Sequence, residues 1–305
     1  MFELPIDRVK EQWVPRLRSA LPTVSPLPGL IGRAMLKRDH YQPGAPLPAL
    51  IERLDDCRID RDHLLRYRKL CGYSRELKLP PTYLALPSFA PMLRLMLSPQ
   101  MPLPMMGQVH LRNRIAVCSA FDLAAPLTVE VQLGEAVLTA AGLEWQLIST
   151  VYAEGEQVWQ AVSTSLHRCR TGLPRSRSVN KVKFTGFQER QALQLPAELG
   201  RRYARVSGDF NPIHLADVTA GMFGFKQAII HGMWSKARAL AALEEQLPAA
   251  GYSAEVQFMR PIGLPAEVLL GLDREARGEQ LAAFAVAARD GRSLHLHGHC
   301  ERLPS

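Results

Sequence analysis

The chain contains two copies of one sequence pattern, and this repeat limits the possible fold more than any other feature. The segment YRKLCGYSRELKL at 67–79 aligns without a gap with YARVSGDFNPIHL at 203–215. Further along, VHLRNRI at 109–115 matches VQFMRPI at 256–262, so the matches keep the same order in both halves. A repeat of this kind predicts two domains of one fold, and 305 residues suffice for two domains of ordinary size.

Each copy has the pattern of a helix followed by antiparallel strands. In the second half, HGMWSKARALAALEEQL (231–247) has apolar residues at helical spacing, and Pro248 and Gly251 follow it. Strand-like runs separated by glycine-containing turns come next. The first half has a shorter helical pattern, PSFAPMLRLMLS (87–98), before similar runs. The predicted class is α+β, with two tandem domains in which an antiparallel sheet wraps around a central helix.

Four segments follow from this organisation. The stretch PALIERLDDCRIDRDHLLRYRKL lies mostly before the first copy and predicts an extra, largely helical N-terminal segment. Glycine, proline, serine and basic residues in HRCRTGLPRSRSVNKVKF predict a solvated basic linker. The predicted segments are a helical N-terminal part at 1–66, the first domain at 67–170, the linker at 171–195 and the second domain at 196–305.

Composition excludes several classes of protein. Hydrophobic residues make up 47% and charged residues 22% of the chain, as in ordinary globular proteins. No segment approaches the roughly 20 apolar residues of a membrane helix, and the N-terminus has no apolar run of signal-peptide length. Five widely spaced cysteines without a C-x-x-C pair predict a reduced, cytoplasmic protein. The net charge of +8 suits an anionic substrate, but no nucleic-acid motif accompanies it.

The two copies differ at chemically important positions. Opposite Asp209 the first copy has Tyr73, and opposite His214 it has Lys78. A turn kept only for folding has little reason to differ at these positions in particular. The acid and the histidine therefore occur as a pair in the second copy alone, which predicts that the second half carries the chemistry.

The segment SGDFNPIHLADVTA at 207–220 suggests how this pair is held together. On a regular helix, Asp209 and His214 would point about 140° apart. Pro212 disfavours helix at the preceding residue, and Gly208 permits a positive φ, so the chain is expected to turn. A turn that leads into a short helix can bring carboxylate and imidazole together for acid–base chemistry. The alternative is an Asx-turn in which Asp209 only caps backbone donors.

A second segment, AIIHGMW at 228–234, leads into the predicted helix of the second half. Gly232 would offer an unhindered backbone N–H at the helix start, where the helix dipole favours developing negative charge. The alternative for Gly232 is close packing of helix on sheet. His231 either touches a ligand or makes a structural hydrogen bond at the helix start.

Together, YARVSGDFNPIHLADVTA and IIHGMW resemble the MaoC-like dehydratases, the R-specific 2-enoyl-CoA hydratase group. The resemblance implies a hotdog fold in each half, with catalysis in the second half and the acyl tail bound by the first. It implies that Asp209 and His214 form the catalytic dyad, that Asn211 orients it, and that the Gly232 N–H is the oxyanion donor. The substrate-binding residues that we assign are Tyr203, Ser207, Gly208, His231, Met233 and Trp234. No metal or other cofactor is required.

The expected reaction is hydration of trans-2-enoyl-CoA thioesters to (3R)-3-hydroxyacyl thioesters, or the reverse dehydration. The alternatives are a 3-hydroxyacyl-acyl-carrier-protein dehydratase, a hotdog thioesterase and a non-catalytic acyl-binding protein. A thioesterase usually needs a carboxylate on the central helix, and Glu244 and Glu245 lie far from its start. The expected partner is the acyl-CoA or acyl-carrier-protein thioester, and a homodimer is possible.

Two further groups of residues suggest binding sites. HLHGH places His295, His297 and His299 on one strand face, which fits either a zinc or nickel triad or a solvent-facing strand. Basic side chains flank the predicted site and would either meet the phosphates of the thioester carrier or be solvated. These basic residues are Arg201, Arg202, Lys226 and Lys236.

Overall fold

The computed structural model describes residues 32–33, 36–74, 78–174, 183–275 and 277–304. Most of the predicted N-terminal segment and the centre of the basic linker lie outside these ranges. The strands are β1 (Ile51–Cys57), β2 (Val109–Val117), β3 (Leu127–Thr139), β4 (Gly142–Ala153), β5 (Glu156–His167), β6 (Glu189–Leu195), β7 (Tyr252–Phe258), β8 (Ala266–Asp273), β9 (Gln280–Ala288) and β10 (Leu294–Arg302). The helices are α1 (Arg61–Cys71), α2 (Phe89–Leu97), α3 (Leu199–Ser207), α4 (Asp217–Gly221) and α5 (Gly232–Ala242).

The described strands form one ten-stranded antiparallel sheet in the order β1-β3-β4-β5-β2-β7-β10-β9-β8-β6. Read outward from the central β2–β7 pair, the two halves have the same order of strands. Asn113 lies opposite Val256 in that pair, and Ile115 lies opposite Ala254. The two halves of the repeat therefore share one continuous sheet, and the prediction of two sheet-and-helix domains in tandem is confirmed.

Helix α5 is the central helix of the second half. Its residues are buried almost all the way round, with Ala237, Ala239 and Leu240 fully inaccessible, as expected for the central helix of a domain. The predicted helix at 231–247 is longer than the observed one. After Ala242 the chain continues in tighter turns, in which Leu243 N–H donates to the Leu240 carbonyl at 3.1 Å.

Helices α1 and α3 occupy equivalent positions in the two copies. Each ends at a glycine with positive φ, Gly72 at 84° and Gly208 at 79°, and a left-handed residue of this kind commonly ends a helix. The aligned tyrosines, Tyr67 and Tyr203, are both buried, and their ring centroids lie 6.3 Å apart. The alignment of the two copies thus corresponds to helices that pack against each other.

The N-terminal part departs from the predicted segments. Residues Ile51–Cys57 form an edge strand, although we expected a mostly helical stretch there. Leu54 pairs with Val129 of β3, because partner strands and burial override weak local preferences. The predicted linker at 171–195 likewise ends in β6, which pairs with β8. Within the described ranges, no helix is long and apolar enough to cross a membrane.

Candidate active site

The loop after α3 folds around Asp209. The Gly208 N–H donates to the Ala204 carbonyl and ends the helix. The Asp209 N–H then donates to Ser207 Oγ at 3.2 Å, and the Asn211 N–H donates to Asp209 Oδ1 at 3.1 Å. The Asx-turn that we considered as an alternative is therefore present. It engages Oδ1 of the carboxylate and leaves Oδ2 turned towards the histidines.

A 3-10 turn at Pro212–His214 carries the histidine of the predicted pair. Asn211 caps this turn, with its Oδ1 3.4 Å from the Ile213 N–H. His214 Nδ1 lies 2.7 Å from the Ile229 carbonyl oxygen. Because a carbonyl can only accept, Nδ1 carries the proton and Nε2 of the neutral ring keeps a free lone pair. Burial lowers the pKa of His214, against the opposing attraction of Asp209.

His231 lies directly against His214. The two imidazole rings are stacked, with centroids 3.6 Å apart and planes at 25°. His231 Nε2 lies 3.0 Å from the Asp209 carbonyl oxygen and 3.8 Å from Oδ2 of the same residue. Burial, reinforced by His214, lowers the pKa of His231 to about 3. His231 is therefore a neutral ring that donates to the backbone of Asp209.

The structure thus gathers three titratable side chains at one point. Ligand atoms of Asp209, His214 and His231 all lie within 4.8 Å of one another. The two histidines are buried, whereas the Asp209 side chain is 32% exposed. A carboxylate reachable from solvent beside a neutral imidazole is suited to holding and deprotonating water. The same three groups would also fit around a metal ion, and their distances alone do not discriminate between the two uses.

Gly232 is the first residue of α5, and its N–H has no acceptor within the helix. The close packing that we considered as an alternative for this glycine is present. An added Cβ would lie 2.8 Å from the Phe258 ring, so the helix packs on β7 here without room for a side chain. Gly232 is partly exposed and directly follows His231 of the cluster, so its N–H remains a candidate oxyanion donor.

The remaining predicted substrate-binding residues differ in their surroundings. Trp234 is buried and donates from Nε1 to the Leu70 carbonyl of α1 at 3.2 Å, so it packs between the halves instead of facing the cluster. Tyr203 is buried, with its ring 4.8 Å from His231. Met233 is partly buried at the helix start. Of these three side chains, Tyr203 is the one in ring contact with the cluster.

The basic residues do not form one group. Lys236 is completely buried, which contradicts our expectation that it meets carrier phosphates or solvent. Its ammonium donates to the Asn113 carbonyl, to Asn113 Oδ1 and to the Ala254 carbonyl at 2.6–3.0 Å. The other three basic residues expected at the site are exposed, namely Arg201, Arg202 and Lys226.

Two other predicted groups lie away from the cluster. The β10 histidines are partly exposed, and within the described ranges they are not gathered into one ligand set. Glu244 is buried beyond the end of α5, about 18 Å along the helix direction from Gly232 at 1.5 Å per residue. Its carboxylate accepts from the Ser74 N–H at 2.9 Å. This acid therefore joins the two halves and lies remote from the helix start.

One residue that shapes the site was not singled out from the sequence. Gly200 lies within α3, and a Cβ there would stand 2.3 Å from the His214 carbonyl oxygen. The helix can approach the 3-10 turn only because this position lacks a side chain. A glycine inside a helix costs stability, which is the sequence signal for such a close approach.

Comparisons with known proteins identify the family to which the chain is similar. A domain family described as "MaoC like domain" matches residues 180–280. The chain is 30% identical over 224 residues to "3-hydroxyacyl-thioester dehydratase X" of Mycobacterium tuberculosis, covering 72% of this chain and 79% of that protein. The crystal structure of HtdX from the same organism has a TM-score of 0.71 at 25% identity, covering 83% of this chain and 100% of that one. A MaoC-like dehydratase from Phytophthora capsici shares the fold, with a TM-score of 0.66 at 18% identity over 85% of this chain and 97% of that one.

Proposed function

The chain belongs to the MaoC-like dehydratase family, and we propose that it adds water reversibly and R-specifically to trans-2-enoyl-CoA thioesters. The product is a (3R)-3-hydroxyacyl thioester, and the reverse reaction is its dehydration. The observation that carries the proposal is the free Nε2 of neutral His214 beside the accessible carboxylate of Asp209, at the first N–H of a buried helix. The dehydratase of Mycobacterium tuberculosis, named for its 3-hydroxyacyl-thioester substrate, supports the same reaction class.

In the proposed mechanism, Asp209 and His214 hold one water molecule between them. An O–H bond of the water breaks, the C2–C3 double bond becomes a single bond, the water oxygen bonds to C3 and a proton bonds to C2. The dyad takes one proton and returns one, so the pair is restored after each turnover. The Gly232 N–H donates to the thioester oxygen while enolate charge develops there. Asn211 and His231 act indirectly, by holding the backbone and ring positions of the dyad.

The first half is proposed to bind the acyl tail. It contains a cavity of about 380 Å³, within the size range of small-molecule sites. Leu84, Phe121 and Trp159 contribute apolar walls to it. Among the described residues, no part of α2 lines this cavity. The cavity involves the segment after α1 and the ends of β2 and β5 instead.

The assay of the proposed function follows the enoyl-thioester absorbance with crotonyl-CoA, and chiral analysis identifies the 3-hydroxy product. Loss of absorbance with the R product supports the proposal, whereas release of free CoA thiol would indicate a thioesterase. Asp209→Asn and His214→Ala should each fall below about a tenth of wild-type turnover, because acid–base catalysis contributes about 10²–10⁴-fold. Folding of both variants is checked by circular dichroism.

A separate experiment tests whether turnover needs a metal ion, since the three-residue cluster also fits one. Turnover should be unchanged after treatment with a chelator and dialysis. A loss of turnover that added zinc restores would assign Asp209, His214 and His231 to a metal site and overturn the water-holding dyad.

A further inference from the structure

Strand β2 of the first half contains a bulge at its beginning. His110 lies opposite Ser165 of β5 and Arg112 lies opposite Thr164, so Leu111 is an extra residue without a partner of its own. Side chains alternate between the two faces of a strand, and one extra residue shifts that alternation. His110 consequently shares the face of Asn113 instead of the face of Arg112. Bulges that redirect a side chain are common beside active sites.

The face that His110 joins is the one packed on α5. Asn113 on this face accepts from the buried ammonium of Lys236, one helical turn along from Gly232. The His110 ring lies 4.7 Å from the Phe258 ring, measured between centroids. The Phe258 ring in turn lies against Gly232. His110 therefore comes from the first half but stands beside the N-terminus of the second half's central helix.

His110 has an unused polar atom in this position. Its Nε2 is buried and has no hydrogen-bond partner among the described residues. Burial lowers the pKa of His110 to about 4, with Lys236 acting in the same direction, and a hydrogen bond to the Arg112 backbone and the charge of Asp209 acting against it, so the ring is neutral at physiological pH. Leaving a buried ring nitrogen without a partner is unfavourable, because its lost hydration is not replaced by a hydrogen bond. A ligand that supplies the missing partner recovers that cost on binding.

We propose that His110 binds the pantetheine arm of the thioester substrate, through a hydrogen bond between its Nε2 and an amide of the arm. This assignment rests on the proposed thioester reaction. Phe258 contacts His110 on one side and Gly232 on the other, so the two residues lie near each other. With the thioester carbonyl at Gly232, the arm beyond the sulfur reaches His110. An amide offers both an N–H and a carbonyl, so it matches either tautomer of the neutral ring. The first half thereby contributes a residue to the site of the second.

The test compares two crotonyl thioesters that differ in everything beyond the sulfur, so each variant is compared with the wild type on the same substrate. Crotonyl-CoA carries the pantetheine amides, whereas the S-ethyl thioester of crotonic acid carries none. His110→Leu should raise KM for crotonyl-CoA about tenfold, the effect of losing one hydrogen bond, with kcat little changed. The same variant should match the wild type on the S-ethyl thioester. His110→Gln, which restores a polar nitrogen near the Nε2 position, should bring KM for crotonyl-CoA back close to the wild-type value.

The outcomes distinguish failure of this inference from failure of the proposed function. If the wild type hydrates neither thioester, the proposed function fails. The inference is wrong if the wild type is active but His110→Leu keeps a normal KM for crotonyl-CoA. It is also wrong if His110→Leu loses the same fraction of activity on both substrates, or if His110→Gln does not restore the KM, because His110 then only packs. Should His110→Leu fail to fold, nitrogen-15 histidine spectra of the wild type decide the question. The His110 Nε2 signal should then move with butyryl-CoA and stay unmoved with S-ethyl thiobutyrate, and no movement with butyryl-CoA overturns the assignment.

Discussion

His214 and His231 lie face to face, with ring centroids 3.6 Å apart, and this stack connects the 3-10 turn of the proposed dyad to the start of α5. His231 also donates to the Asp209 carbonyl from the other side. One buried ring thus contacts both members of the dyad. We propose that this ring fixes their relative position, since it is buried and stays neutral.

This arrangement predicts that His231 acts through its Nε2–H donor. His231→Leu should lower kcat on crotonyl-CoA by about 10²-fold, because a small misplacement of the dyad is costly. His231→Gln keeps a donor near the Nε2 position and should recover most of that loss. Steady-state kinetics of both variants, with melting temperatures as a control, make the comparison. Equal kcat values for the two variants would contradict a role for the hydrogen bond.

The close approach at Gly200 gives a second prediction. Gly200→Ala would place a Cβ 2.3 Å from the His214 carbonyl oxygen, so the 3-10 turn must move away from α3. We expect kcat to fall by at least about tenfold, as the dyad loses its alignment. Gly221→Ala is the matched control, because Gly221 also lies in a helix but an added Cβ meets nothing within 4 Å. Unchanged kcat in Gly200→Ala would show that the turn tolerates the displacement.

Contacts between residues close in sequence were the predictable part of this molecule. Gly208 ends α3 and Pro212 begins the 3-10 turn that carries His214, and these residue types alone indicate a bend that brings Asp209 towards the histidine. The repeat likewise indicates two equivalent halves, because aligned residues such as Tyr67 and Tyr203 occupy equivalent helices. In both cases the information lies in a short segment or in a comparison of two segments.

Features that depend on partners distant in sequence were not predictable in the same way. The stack of His231 on His214 joins residues 17 positions apart, and only the fold brings them together. The sequence alone suggests that Lys236 is a surface charge, but in the fold its ammonium donates hydrogen bonds to Asn113 and Ala254. The strand of β1 depends on its pairing with β3, since its own sequence suits a helix equally well.

The first half provides a third prediction, on Lys78 and Tyr73. The Lys78 ammonium donates to the Glu244 carbonyl at 3.0 Å and also to the Leu247 carbonyl, beyond the end of α5. Lys78→Met should therefore lower the melting temperature while leaving kcat on crotonyl-CoA nearly unchanged. Tyr73→Phe keeps the packing of a buried ring and should also leave kcat unchanged. If either variant loses activity as completely as His214→Ala, the first half takes part in the chemistry.

A fourth prediction concerns the cavity of the first half. Ser119 lines it and is exposed at its edge, so Ser119→Trp should fill it with little disturbance of the core. Activity on dodecenoyl-CoA should then fall several-fold more than activity on crotonyl-CoA. Ala90→Trp on α2 is the control, because Ala90 is not among the cavity walls. Equal losses on both substrates in Ser119→Trp would show that the cavity does not receive the acyl tail.

The last prediction concerns the pH dependence of stability, which His231 should steepen. Its pKa is about 3 in the folded protein, against an ordinary value of 6.5 that applies in the unfolded chain. Above pH 6.5 both states hold the ring neutral, so the ring adds no pH dependence. Below pH 6.5 the unfolded chain takes up a proton that the folded protein excludes, and the free energy of unfolding falls by about 1.4 kcal/mol per pH unit.

His231→Gln should therefore show a shallower decline in the free energy of unfolding between pH 6 and about pH 4 than the wild type. Urea unfolding at several pH values measures this slope. The matched control is Gly221→Ala, which removes no titratable group and should leave the slope unchanged. The difference in slope should approach the value for one proton, since the folded protein keeps His231 neutral throughout this range. A slope identical to that of the wild type would mean that His231 gains a proton in the folded state as readily as in the unfolded one.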